Sequence, residues 1–323
     1  MRRPIALFAE ALLIAAVTAG CGLGTDRAQR LTLAALNTSQ PIASPATTSS
    51  SVPSCRHLTA SLRPPAAMPA PGVMPRGSFM ARIERRGYLI AGIDQNTLLF
   101  AYFNPLDGRL EGFEIDVLRD LAQAIFGNPN RIQFKAVTTA ERIPAVQSGS
   151  VDLVADAVTI TCARRRQVDF STVYYNAGQR VLVPRDSTIH SVSDLTGKPV
   201  CATRGSTSLD NIERVAPRAI SYPVAQRTDC LVALQQGQVD AITSDDSILI
   251  GLKAQDPYTK IVGPSISDQP YGIAISKAHP DFVRFVNGVL ARMRSNGMWR
   301  ATFTRWLGKF TPTPAPPRAS YSG

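Results

Sequence analysis

Two hydrophobic periods alternate along residues 88–307, and their succession sets out an architecture. Residues 88–93 (YLIAGI) are a continuous apolar run ending on Asp94, which predicts a buried strand. Residues 113–126 carry Phe113, Val117, Leu121, Ala124 and Ile125 on one stripe, which predicts a helix. A second strand follows over 131–137, a short helix over 142–147 closed by Gly149, and a third strand over 151–155. Strand and helix in alternation predict a mostly parallel sheet with helices on both faces.

The pattern then restarts. Residues 200–202 read as a strand, Gly205 to Ser208 open a helix near Leu209, and 221–224 read as a short strand. A helix over 228–236 is closed by Gly237, and 239–242 read as another strand. The two halves share a local repeat, AVQSGSVD ending on Asp152 and ALQQGQVD ending on Asp240. One copy per lobe is the expectation, with residues 181–183 and 271–275 crossing between lobes. A final helix near 281–307 has an aromatic stripe that includes Phe282, Phe285, Trp299, Phe303 and Trp306, which reads as core.

The ends differ in composition. Arg2 and Arg3 precede an apolar run over residues 5–17, which describes a secretory signal and is too short to span a bilayer. Thr18-Ala19-Gly20 before Cys21 resembles the lipobox of bacterial lipoproteins, which implies lipidation of Cys21; a simple secreted protein with a spare cysteine is the alternative. Residues 22–77 are rich in Ser, Thr, Ala and Pro, with too little apolar surface to offset chain entropy. The expected division is therefore a signal peptide over 1–20, a disordered tether over 21–77, lobe 1 over 78–180 plus 268–310, lobe 2 over 181–267 and a disordered tail over 311–323.

The formal charge is +11, but the basic residues are scattered and Arg164-Arg165-Arg166 is the one basic triplet. Nucleic acid is not an expected partner, and the charge is read as favouring solubility. Besides Cys21 the cysteines are Cys55, Cys162, Cys201 and Cys230. An even number in an exported chain suggests two disulfides. Three pairings are possible. Cys201–Cys230 is favoured because both fall in one lobe, which leaves Cys55–Cys162. A metal site is not expected: there is no C-x-x-C pair, and the histidines are only His57, His190 and His279.

Ligands of open α/β sheets bind beyond the carboxyl ends of strands. That rule selects Asp94, the stretch from Asp156 to Thr161, Arg164, the turn from Gly205 to Ser208, and Asp245. The segment LVADAVTITCARRRQVDFS (153–171) resembles the signature of bacterial extracellular solute-binding proteins, family 3, the polar amino-acid-binding proteins of ABC importers. GRLEGFEIDV (108–117), Gly205-Ser206-Thr207 and Val239-Asp240-Ala241 are similar to further motifs of that family, in order. The tether and cysteines resemble its actinobacterial branch, including mycobacterial lipoproteins of glutamine-binding type.

The resemblance implies a two-lobed, type II periplasmic-binding-protein fold, each lobe a mixed, mostly parallel sheet, and a protein without catalytic residues or cofactor. It implies that Arg164 takes the ligand's α-carboxylate, helped by Thr159 and the neighbouring Ala157, and that Asp245 takes the α-ammonium. A guanidinium fork suits a planar carboxylate. Ser206 and Thr207 stand at a helix start, where free N–H groups meet an anion. Asp94 and Arg142 are expected to read the side chain. Arg142 favours aspartate and glutamate, with asparagine or glutamine weaker. Expected partners are a free L-amino acid and either permease subunits or a membrane sensor. The protein is expected to be a monomer, lipid-anchored on the extracytoplasmic face, that closes on hinges near 177–185 and 267–273. An enzyme on the same scaffold is the remote alternative, for which the histidines lie away from the motifs.

Overall fold

The computed structural model describes residues 55–322. The signal segment, Cys21 and the first part of the expected tether lie outside the described residues. A continuous apolar run buries both faces of β1 (Leu89–Ile93), so this strand sits inside a sheet rather than at its edge. It pairs in parallel with β5 (Ile132–Ala136) on one side and β6 (Leu153–Val154) on the other. Beyond β6 lies β13 (Ala274–Ile275), antiparallel both to β6 and to β7 (Asp169–Phe170). The second sheet repeats the plan. There β9 (Pro199–Thr203) lies parallel between β10 (Ile220–Val224) and β11 (Ala241–Asp245), β8 (Tyr175–Pro184) runs antiparallel to β11, and β12 (Thr259–Tyr271) runs antiparallel to β8. The ribbon β8–β12 begins where the first sheet ends, so the chain leaves and re-enters the first lobe along paired strands. A small meander of β2 (Asn96–Thr97), β3 (Ala101–Asn104) and β4 (Arg109–Glu111) follows β1, and the apolar pattern did not indicate it.

The helices are α1 (Phe79–Arg86), α2 (Phe113–Phe126), α3 (Arg142–Gln147), α4 (Cys162–Gln167), α5 (Thr207–Val215), α6 (Arg227–Gln235), α7 (Asp246–Gln255), α8 (Pro280–Ser295) and α9 (Met298–Leu307). The expected single helix over 281–307 is thus two. Gly297 adopts φ 79°, a left-handed conformation that stops α8, and Asn296 accepts from the Met298 N–H to start α9. Both keep the aromatic stripe. Phe113 meets Trp299 and Phe303 with ring centroids 6.0 and 6.3 Å apart, and all three are buried. Truncating such a ring to alanine costs about 3–5 kcal/mol.

Two disulfides are present, Cys55–Cys162 and Cys201–Cys230, the pairs favoured from the sequence. The first contributes to a correction. Residues 55–77 and 311–322 do not behave as loose ends. Arg165 Nη1 donates to the carbonyls of Leu58 and Ala60, and Asn287 Nδ2 donates to Ser61 Oγ and to the Leu62 carbonyl. Met74 is buried, and Ser61 forms a parallel bridge with Tyr321. The composition of these segments is poor in apolar area, yet Leu62, Met68 and Met74 pack against the core. The body supplies the missing stabilisation through buried donors such as Asn287, which pair with the backbone of the strap.

Candidate functional site

The carboxyl ends of both sheets face one another across a cleft, and most of the predicted residues come together there, though neither Asp94 nor Arg164 lines its innermost cavity. Arg142, Ala157, Thr159, Ser206, Thr207 and Asp245 line a cavity of ≈ 10 Å³, together with Thr139, Ser208 and Arg227. That is room for about one water molecule. The lobes are closed on one another, and anything larger enters only when they part.

Arg164 reaches the rim from α4, a helix whose first turn is fixed by Thr161, the side chain of which accepts from the Arg164 N–H. Its Nη1 donates to the Thr159 carbonyl at 2.8 Å, and its Nη2 crosses the cleft to the Gly205 carbonyl at 2.9 Å. Among the described residues no carboxylate lies within 4.0 Å of it. Burial and the nearby Arg142 guanidinium push its pKa down to about 9. Gly205 has φ +73°, and a Cβ there would stand 3.0 Å from Ala140 Cα, so glycine lets the two backbones approach.

Thr159 and Thr207, from opposite lobes, both donate to Gln269 Oε1, at 2.7 and 2.8 Å. Ser206 caps α5, accepting from the Leu209 N–H. Asp245 ends β11; Tyr271 Oη donates to its Oδ2 at 2.6 Å and Ser208 Oγ to its Oδ1 at 3.3 Å. Burial raises its pKa to about 6, against the Tyr271 hydrogen bond. No cation lies within ion-pair distance of it among the described residues.

Ala157 has φ 47°, a left-handed conformation that costs a non-glycine residue about 1 kcal/mol or more. Its N–H donates to Glu114 Oε1 at 2.7 Å, and its carbonyl accepts from Arg142 Nη1 at 3.2 Å. Arg142 is buried. Its Nε and Nη1 also donate to the carbonyls of Thr139 and Asp156, at 2.9 and 2.8 Å. Most of its donors therefore hold the backbone of the cleft, and its nearest carboxylate, Asp156 Oδ2, is 3.8 Å away. Asp94 does not line the ≈ 10 Å³ cavity. It accepts from the Asn96 N–H, from Thr97 Oγ1 and from Arg227, and it borders a second cavity of ≈ 110 Å³ between the lobes.

Three participants were not among the predicted site residues: Arg227, Gln269 and Tyr271. A signal for Arg227 exists. Each copy of the repeated helix opens on an arginine, Arg142 in α3 and Arg227 in α6. Gln269 and Tyr271 sit on the crossing strand β12, where an apolar pattern conveys pairing but not which polar group reaches the cleft.

The family model for bacterial extracellular solute-binding proteins, family 3, matches residues 89–309. The chain belongs to this family. Among curated relatives, the ABC transporter glutamine-binding protein GlnH of Bacillus subtilis (strain 168) is 37% identical over 71% of this chain and 84% of its own length. The glutamine-binding protein of Geobacillus stearothermophilus is 40% identical over 64% of this chain and 79% of its own. A solved structure of an ancestral arginine-binding protein bound to glutamine superposes with a TM-score of 0.64 at 32% identity, covering 69% of this chain and 99% of that one. The fold is the two-lobed, type II arrangement of these proteins. They are solute-binding proteins, and the family's extracellular character places this member outside the cytoplasm. Among the described residues no helix is long and apolar enough to cross a membrane.

Proposed function

We propose that the protein captures one polar α-amino acid in the cleft, by closure of its two lobes, and presents it to the permease of an ABC importer. One observation carries this reading. Among the described residues, the cleft joins a guanidinium with no carboxylate partner, Arg164, to a buried carboxylate with no cation partner, Asp245. An α-amino acid carries the two complementary charges. Its carboxylate would replace the carbonyl partners of Arg164, and its ammonium would meet Asp245. Thr159, Ala157, Ser206 and Thr207 would complete the carboxylate end. Closure follows because only the closed state makes both sets of contacts.

Aspartate and glutamate are the preferred ligands in this reading. Arg142 faces the cavity with no carboxylate closer than 3.8 Å, so an acidic side chain would neutralise it. A second reading, glutamine or asparagine, has its own support. Asp156 Oδ2 is buried and has no hydrogen-bond partner among the described residues, and a side-chain amide could donate to it. Relatives named for glutamine and for glutamate/aspartate import fit either choice. The signal peptide and lipidation of Cys21 belong to the same proposal, as does monomeric action. Mass spectrometry of membrane-extracted protein tests the lipid.

Calorimetry on the purified full chain with aspartate, glutamate, asparagine and glutamine tests the ligand. Micromolar binding is expected, lost by about 30-fold or more in Arg164→Ala, the scale for removing one partner of a buried charged pair. No heat with any free amino acid would sink the reading. Equal weakening of acids and amides by Arg142→Ala would transfer the preference to the amides.

A further inference from the structure

Arg227 opens α6, and Cys230, one turn later, ties that helix to β9 through its disulfide with Cys201. The residue is thus anchored in the second lobe. Its guanidinium is nonetheless spent on the first. Nη1 donates to Asp94 Oδ2 at 2.6 Å, to Asp156 Oδ1 at 2.7 Å and to Thr97 Oγ1 at 2.8 Å, and Nη2 to the Asp156 carbonyl at 3.3 Å. Arg227, Asp94 and Asp156 are 4%, 4% and 1% exposed. Every one of these bonds crosses the cleft, so all of them form on closure and break on opening.

The first lobe, taken alone, ends β1 and β6 in two carboxylates, Asp94 and Asp156. A cleft floored by two carboxylates repels an acidic side chain and attracts a cationic one, because a buried like-charge pair is strongly unfavourable. Arg227 is the group that changes this sign. It arrives with the second lobe, pairs with both carboxylates at once, and still lines the ligand cavity. Arg142 contributes only its 3.8 Å approach to Asp156 and is otherwise held by carbonyls.

We propose that Arg227 is a specificity-determining residue, which on closure covers Asp94 and Asp156 and so lets the cleft hold an acidic side chain beside Arg142. The inference rests on the amino-acid-capture reading above and adds the residue that sets ligand charge. Opening withdraws Arg227 from both carboxylates, because each of these bonds crosses the cleft.

The test is calorimetry on the full chain and its Arg227→Gln and Arg227→Lys variants, with aspartate, glutamate, asparagine, glutamine, lysine and arginine as ligands. Thermal unfolding of each ligand-free variant checks that the fold survives. Arg227→Gln is expected to weaken the acids by about 30-fold or more and the amides by less than about 5-fold, the scale for truncating one partner of a buried charged pair. It is expected to strengthen the cationic ligands. Arg227→Lys, which keeps the charge, is expected to keep the wild-type ratio of acid to amide affinity. An unchanged acid-to-amide ratio in Arg227→Gln overturns the inference, whether overall affinity falls or not. Wild-type protein that binds none of the six ligands overturns the capture reading instead, and this inference with it.

Discussion

Glu114 offers the sharpest test of how the cleft is built. It lies behind the cleft-lining segment, fully buried, and its Oε1 accepts from the Ala157 N–H and from the Tyr174 hydroxyl. Burial, then the nearby Asp156 carboxylate, raises its pKa from 4.5 to about 7, against those two hydrogen bonds. The folded protein therefore holds a proton that the unfolded chain releases between about pH 4.5 and 7. A raised carboxyl contributes stability that is fully present below the unfolded pKa and is lost as pH rises through the folded one. A shift of about 2.5 units at about 1.4 kcal/mol each gives about 3 kcal/mol between pH 4.5 and pH 8. Glu114→Gln keeps an oxygen for both donors and cannot ionise. Urea unfolding of both proteins across that range is the assay. Asp120 and Asp245, both raised to about 6, titrate in both proteins, so the informative quantity is the difference between the two curves. The wild type should lose about 3 kcal/mol more than the variant on going to pH 8. Parallel curves would refute the reasoning.

Two further outcomes follow from the same geometry. Burial holds Asp245 at about 6, and a ligand ammonium favours its ionised form, so binding should expel a proton below pH 6. Affinity should be level above about pH 7 and fall by up to about tenfold per unit below 6, as calorimetry across pH would read; affinity level down to pH 5 contradicts this role. The Cys55–Cys162 disulfide spans 107 residues and Cys201–Cys230 spans 29. In the chain-entropy account these loops are worth about 4.7 and about 3.6 kcal/mol. Replacing the first pair by serines should cost more in urea unfolding than replacing the second, and the reverse order would refute the account.

The sheets were legible because their strands bury continuous apolar runs, as LIAGI in β1 does, and because the repeat ending on Asp152 and Asp240 marks two similar lobes. The meander after β1 was not. Its strands are two to four residues long and mix polar with apolar side chains, so no period survives. The cleft was legible where a motif places charge at a strand or helix end, as at Arg164 and Asp245. It was not where position depends on another lobe. Nothing local to Arg227 announces that its partners are Asp94 and Asp156, more than sixty residues away on a different sheet. Arg142 shows the converse. Its place near the cleft was read, but its demand from the carbonyls of Thr139, Asp156 and Ala157 is a backbone property that side-chain patterns do not carry.

The Cys55–Cys162 bond has a mechanical consequence. A pull arriving along the chain from the N-terminal side reaches Cys55 first. There the covalent bridge passes the force directly to α4, and residues 56–77 carry little of the load. The helix that takes the strain is the one that presents Arg164, two residues beyond the bridge. Arg165, clasping the carbonyls of Leu58 and Ala60, braces the same point. Tension arriving at Cys55 is thus applied at α4, beside Arg164, rather than at the outer edge of the body.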